Sequence, residues 1–102
     1  MEELAARLHQ KGKKLIFSPL SKWADEIEYN GTRMVFDYKR IGEIVDEVRI
    51  QGYGYTVVAS SKISPIGPLV WLEDVLRYAI KSGIPREKII LGVHTYAYDW
   101  SE

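Results

Sequence analysis

Glu47-Val48-Arg49-Ile50-Gln51-Gly52-Tyr53-Gly54-Tyr55 sets two unlike faces back to back. Side chains alternate across a strand, so Val48, Ile50 and Gly52 share one face, opposite Arg49, Gln51, Tyr53 and Tyr55. Lys88 to Tyr96 repeats the pattern, with Ile89, Leu91 and Val93 on one side and Ile90, Gly92, His94 and Tyr96 on the other. One face is smooth and apolar, suited to covering helices. The other is mixed, aromatic and polar. Strands of a doubly wound sheet are usually apolar on both faces, so this asymmetry reads as the wall of a barrel.

Outward from these strands the periodicity is helical. Leu4, Ala5 and Leu8 predict a helix over 2–10, stopped near Gly12, and Lys14 to Ser18 follows as a short strand closed by Pro19. Residues 20–36 are irregular, but Asn30-Gly31 between Ile27, Tyr29, Thr32 and Met34 predicts a small hairpin. Asp37 is a good N-cap for a second helix, with Ile41, Ile44, Val45 and Val48 at i, i+3, i+4 and i+7. A Ser-, Gly- and Pro-rich loop spans 56–67. Pro68 then opens a third helix striped by Leu72, Val75, Leu76, Ala79 and Ile80, ended by Gly83 and the Ile84-Pro85 turn. The fold class is α/β: three helix–strand units (αβαβαβ) in a partial TIM-barrel-like parallel sheet with helices on one face. Residues 1–102 form a single domain.

Composition narrows the partners. Fourteen basic residues balance fourteen acidic ones, so the chain lacks the positive field that nucleic acid demands. It has no cysteine and only His9 and His94, which argues against a metal site, and no cofactor is expected. Met1 to Lys14 is a charged amphipathic stretch without an apolar signal core, and no run is long enough for a membrane span. A soluble chain, cytoplasmic as expressed, is the expectation.

Several stretches resemble family 18 glycoside hydrolases, the branch of bacterial spore-cortex and germination enzymes. They are Leu91-Gly92-Val93-His94-Thr95-Tyr96-Ala97-Tyr98-Asp99-Trp100 with Ile84 to Ile90 before it; Glu3 to His9 with Lys13 to Leu15; Phe36-Asp37-Tyr38 with Ile41 to Asp46; and Pro65 to Leu69 with Trp71 to Ala79. The resemblance implies a (β/α)8 barrel, with this chain similar to the helix after strand four and then strands five to seven. The family's Asp-x-x-Asp-x-Asp-x-Glu, which supplies the general acid, has no match. Where the family reads roughly Met-x-Tyr-Asp this chain has Gln51-Gly52-Tyr53-Gly54, and His94 and Ala97 stand for a usual Pro and Gly. These departures lead to the expectation of a non-catalytic, excised and redesigned fragment.

The former barrel interior would then lie bare, along with two unpaired edges. Burying one aromatic side chain contributes about 1.5–3 kcal/mol, so a homodimer or higher homo-oligomer is expected, with Arg49, Gln51, Tyr53, Tyr55, His94 and Tyr96 as interface candidates. Tyr53, Tyr55, His94, Tyr96, Asp99 and Trp100 are the candidates for a weak N-acetylglucosamine-type glycan site, although aromatics at strand ends are more often core or interface. A designed site around His94 is a further alternative, weighed against a satisfied interior histidine. Arg49 is expected to pair with Asp99 or Glu47, and Trp23 and Trp71 to pack. Gly52-x-Gly54 precedes no helix start, so it is a poor phosphate loop. Lys39, Arg40, Glu43 and Glu47 read as a solvated helix face.

Overall fold

The computed structural model describes residues 1–29, 32–33, 35–57 and 59–101. Its elements are α1 (Glu2–Gln10), β1 (Ile16–Phe17), β2 (Glu28–Tyr29), β3 (Thr32–Arg33), α2 (Tyr38–Ile44), β4 (Glu47–Gly52), α3 (Leu69–Lys81) and β5 (Ile89–Val93), with a 3-10 turn at Arg86–Lys88 before β5. The order β1-β4-β5 forms one parallel sheet, and β2 pairs antiparallel with β3. The expected hairpin strands are therefore present, while the Asn30-Gly31 turn lies outside the described residues.

Register follows the alternation. Phe17 sits opposite Val48, Val48 opposite Ile89, and Ile50 opposite Leu91. Val48 and Ile50 are fully buried beneath a helix layer of Tyr38, Ile41, Trp71, Val75 and Ala79, with Val45 and Ile84 beside it. Right-handed crossovers put all helices on that side. The opposite face stays open: Ile16 is 41% exposed and Ile90 45% exposed, and Arg49 lies there paired with Glu47 at 2.6 Å rather than with Asp99. The radius of gyration is 15.5 Å, above the ~13 Å usual for a closed domain of this length.

The strands end earlier than the alternation predicts. β4 stops at Gly52 instead of Tyr55, because Gly54 turns the chain at φ 85 and Tyr55 N–H donates to Ile66 O at 2.9 Å. β5 stops at Val93 instead of Tyr96, and β1 holds only two residues instead of five. Beyond Phe17 the pairing is carried by side chains. Pro19 has no N–H to offer, and the Ser18 hydroxyl donates to Arg49 O at 2.9 Å while Ser21 donates to Gln51 O.

Helix ends follow local chemistry. Asp37 accepts from Arg40 N–H at 3.0 Å and caps α2. That helix ends at Ile44, so Val48 belongs to the sheet rather than a helical stripe, and Glu47 is a strand residue rather than part of a helix face. Two C-terminal carbonyls near its end, Gly42 O and Val45 O, receive Lys88 Nζ at 2.8 Å each. In α3 the buried stripe is Trp71, Val75 and Ala79, whereas Ile80 is 37% exposed. Gly83 closes α3 at φ 101, a conformation that suits glycine. Asp46 ties three elements together by accepting from His9 Nε2 at 2.8 Å and Leu15 N–H at 2.7 Å. Among the described residues, no helix is long and apolar enough to cross a membrane.

Candidate functional site

Loops at the carboxyl ends of parallel strands carry the sites of barrel proteins. Here the loop after β1 and the loop after β4 meet around a cleft of about 350 Å³. Ser21 is fastened to the Gln51 carbonyl, which fixes Leu20 and Trp23 on one side. The turn at Gly54 carries Tyr55 to the other side, against the first turn of α3. Trp71 is the hub: its ring centroid lies 5.8 Å from Trp23 and 5.5 Å from Tyr55. Trp71 is 8% exposed, while Trp23 and Tyr55 are 41% and 51% exposed and offer their surfaces to solvent. The buried Trp71 Nε1–H has no acceptor among the described residues, an orphan donor of the kind that calls for an explanation.

A second hollow of about 200 Å³ lies beside the segment that follows β5. His94, Tyr96, Tyr98 and Trp100 form a ladder of edge-to-face contacts with centroids 6.0, 5.8 and 5.9 Å apart. Such pairs contribute about 0.5–1.5 kcal/mol each beyond their burial. Partial burial, then the neighbouring Tyr98 and Tyr53, push the Tyr96 phenol above its ordinary value. His94 Nδ1 is buried without a partner among the described residues. Ser64 lines the same hollow, but its hydroxyl is already bonded to Thr56 Oγ1. His94 therefore has no free hydroxyl nucleophile beside it at Ser64.

The site residues read from the sequence thus divide. Gln51, Tyr53 and Tyr55 gather in the cleft; His94, Tyr96 and Trp100 line the second hollow; Asp99 lines neither. Arg49 stays on the open sheet face, committed to Glu47. Sequence reading missed Leu20 and Ser21, and it treated Trp23 as packing only. The signal available was position: Ser18-Pro19-Leu20-Ser21 directly follows a strand at its carboxyl end. A larger hollow of about 470 Å³ lies against α3 between residues 23–25 and Arg77, Lys81 and Ser82. It belongs to the helix layer rather than the strand ends, and its Asp25 accepts from the Tyr78 hydroxyl at 2.9 Å.

The cleft is lined mainly by the rings of Trp23, Tyr53, Tyr55 and Trp71, while the Ser21 hydroxyl is spent on the Gln51 carbonyl and the Gln51 amide nitrogen lies 3.5 Å from Ser18 Oγ. The cleft contains no carboxylate pair for acid–base hydrolysis.

Parallel strands with helices on one face define a piece of a (β/α) barrel. The comparisons with known proteins agree. No protein-family model matches the chain. The cortical fragment-lytic enzyme of Bacillus subtilis is 42% identical over 67 residues, 64% of this chain and 15% of that enzyme. YdhD of Bacillus subtilis, whose name assigns it as a sporulation-specific glycosylase, is 30% identical over 100 residues, 98% of this chain and 23% of that protein. Its crystal structure superposes with a TM-score of 0.83 at 30% identity, over 97% of this chain and 32% of the other. A chitinase from Chromobacterium violaceum superposes with a TM-score of 0.78 at 31% identity, over 90% of this chain and 28% of the other. The chain is homologous to one segment of the spore cortex-lytic and sporulation-specific glycosylases, of the chitinase-like family 18 fold. It spans less than a quarter of the length of these curated relatives.

Proposed function

We propose that these 102 residues act as the glycan-facing wall of a family 18-type glycosylase barrel, and that by themselves they bind an amino-sugar glycan without hydrolysing it. The observation that carries this reading is the cleft at the carboxyl end of β4, where Trp23 and Tyr55 expose their rings on either side of Trp71. Aromatic faces at that end of a barrel suit the apolar face of a pyranose. Relatives named for lysing cortical fragments and for chitin support the choice of an N-acetylated glycan. Hydrolysis needs an acid that no residue of the cleft supplies.

The test is a tryptophan-fluorescence titration with chitotriose, paired with a hydrolysis assay on the same sample. Saturable quenching that disappears in Trp23→Ala, with no sugar released, is the expected result. A flat titration sinks the binding reading, and turnover sinks the non-catalytic one.

The open sheet face favours a second reading, that the chain self-associates. Ile16 and Ile90 lie at least 41% exposed on a face that also carries Arg49 and Glu47. Two copies related by a two-fold axis can set Arg49 of one against Glu47 of the other, an isologous and self-complementary contact. Light scattering across a concentration series decides the matter. The mass should double, and Ile90→Lys should return it to the monomer; a folded monomer at every concentration would end this reading.

A further inference from the structure

We propose that the β5 edge and the outer flank of α3 dock a second copy of this chain about a two-fold axis, with β5 pairing antiparallel on β5 and α3 packing on α3. This surface is separate from the open sheet face. The two edges of the sheet differ. β5 runs five residues, Ile89–Val93, without a charge or a proline, and among the described residues no strand pairs on its outer side. The outward N–H and C=O groups of such an edge are a template for another strand. The opposite edge is guarded: β1 holds two residues, Pro19 follows, and the Ser18 and Ser21 hydroxyls are bonded to the β4 carbonyls of Arg49 and Gln51.

α3 carries a second apolar stripe beside the one it buries. Trp71, Val75 and Ala79 face the core, and on the β1 side Trp71 meets Trp23 while Tyr78 meets Tyr38 at 5.7 Å. At about 3.6 residues per turn, Leu69, Leu72, Leu76 and Ile80 fall on the other flank, toward β5. There Leu72 Cδ2 and Leu91 Cδ1 both close on Gly52. Leu69 is 72% exposed, and Val93 is 64% exposed although it shares the helix side of the sheet with Ile89 and Leu91. The helix cover thus gives out along β5. An occupant of this surface must present a strand edge and an apolar helix flank together.

A second copy presents both. A two-fold axis normal to the sheet at Leu91 sets Leu91 against its own copy, Ile89 against Val93, and Ile90 against Gly92. Opposed residues of an antiparallel pair share a face, so the apolar helix-side residues meet one another and Ile90 lies beside a glycine. α3 joins β4 to β5 and rides over the line between them. The axis lies half a strand spacing outside β5, so the two α3 axes run about 9.6 Å apart, twice the strand spacing of about 4.8 Å. Packed helices stand roughly 8–10 Å apart. One symmetry operation therefore closes the strand layer and the helix layer at once, bringing Leu72 near its own copy and Leu69 near Leu76 of the other.

The chain has no cysteine, so Leu91→Cys places a single thiol on the axis. Opposed Cα atoms of an antiparallel pair lie roughly 4.5–5.5 Å apart, within the ~4.4–6.8 Å that a disulfide spans. Under mild oxidation Leu91→Cys should form a covalent dimer at least tenfold faster than Val35→Cys, whose fully exposed site beside α2 reports random collision. Light scattering supplies the second readout. Leu69→Lys and Val93→Lys change exposed side chains and leave the fold intact by circular dichroism; each should weaken the dimer at least tenfold, while Ile16→Lys on the open face leaves it unchanged. A dimer that responds to Ile16→Lys and ignores both edge variants overturns the inference and assigns the contact to the open face. A folded monomer at every concentration, with Leu91→Cys no faster than Val35→Cys, overturns it as well and leaves the edge to a strand of a different chain.

Discussion

Replacing Gly52 by alanine tests the asymmetry of the two sheet faces more sharply than any surface change. An added Cβ would lie 2.6 Å from Gly92 O, 2.9 Å from Leu72 Cδ2 and 3.0 Å from Leu91 Cδ1. Ordinary contact begins at 3.4 Å, so the backbone oxygen is 0.8 Å too close. The leucine tips can swing aside, but Gly92 is held in the β4–β5 ladder and its oxygen moves only if the strands part. Overpacking of this kind costs about 1–3 kcal/mol, and the fixed backbone neighbour places Gly52→Ala in the upper half of that range. Against a total stability of roughly 5–15 kcal/mol, and with about 4–8 °C lost per kcal/mol in a domain of this size, the melting temperature should fall by roughly 10–20 °C. Gly92→Ala is the control, because its Cβ projects to the open face and meets Ile50 O only at 3.3 Å and Tyr53 Cε1 at 3.6 Å. A gain of about 0.4–1 kcal/mol from a less flexible unfolded chain offsets that mild crowding, so its melting point should barely move. Circular dichroism melts at low micromolar protein keep any self-association out of the comparison. Equal losses in the two variants would refute the assignment of a covered and an open face.

Three further outcomes follow from the same geometry. The Asp46 carboxyl is held below its ordinary 3.8, first by the hydrogen bond from His9 and then by Leu15 N–H; a depressed folded pKa stabilises above the unfolded value and is lost as pH falls through the folded one. Asp46→Asn should therefore flatten the acid limb below pH 3.8, and parallel urea midpoints in the two proteins on either side of that pH would contradict this. Lys88→Met removes two 2.8 Å bonds to Gly42 O and Val45 O and should cost about 1.5–3 kcal/mol by urea unfolding; a negligible change would show that water replaces them freely. Burial pushes the Tyr38 phenol up from 10.0 to about 12, so its stabilising share is complete below 10.0 and disappears as pH rises through about 12. Spectrophotometric titration should find one tyrosine that ionises last and is missing in Tyr38→Phe.

The covered face was legible because volume and period specify it together. Val48 and Ile50 alternate with Arg49 and Gln51 in the sequence, and the structure buries the first pair completely while leaving Arg49 exposed. Asp37 and Gly83 mark helix ends by chemistry confined to a few residues. The α3 stripe was legible only in part. Leu72, Val75, Leu76, Ala79 and Ile80 span a wider arc than a three-stranded sheet covers, so burial falls on Trp71, Val75 and Ala79 at i, i+4 and i+8 and leaves Ile80 at the edge. Strand ends were overextended for a comparable reason. Alternation continues through Tyr55 and Tyr96, but ladder pairing stops where Gly54 turns and where β4 offers β5 no further partner.

The cleft was less legible because its course depends on contacts between segments far apart in the chain. Ser21 reaches the Gln51 carbonyl, Tyr55 N–H reaches Ile66 O, and Thr56 meets Ser64. Each bond bends a loop, and none leaves a period in the sequence. Tyr53 and Tyr55 illustrate the consequence. Alternation puts both on one face, and Tyr53 does stay over Gly92, while the turn at Gly54 sends Tyr55 across to Trp71. That displacement turns a row of strand aromatics into two separate sites, one around Trp71 and one around His94. It also divides the two readings of function. The residues left facing the open sheet, Arg49 and Ile90 with Ile16, bear on association, and those carried onto the loops, Trp23 and Tyr55, bear on ligand. Ile90→Lys and Trp23→Ala should consequently act independently of each other, as distant sites without shared partners do.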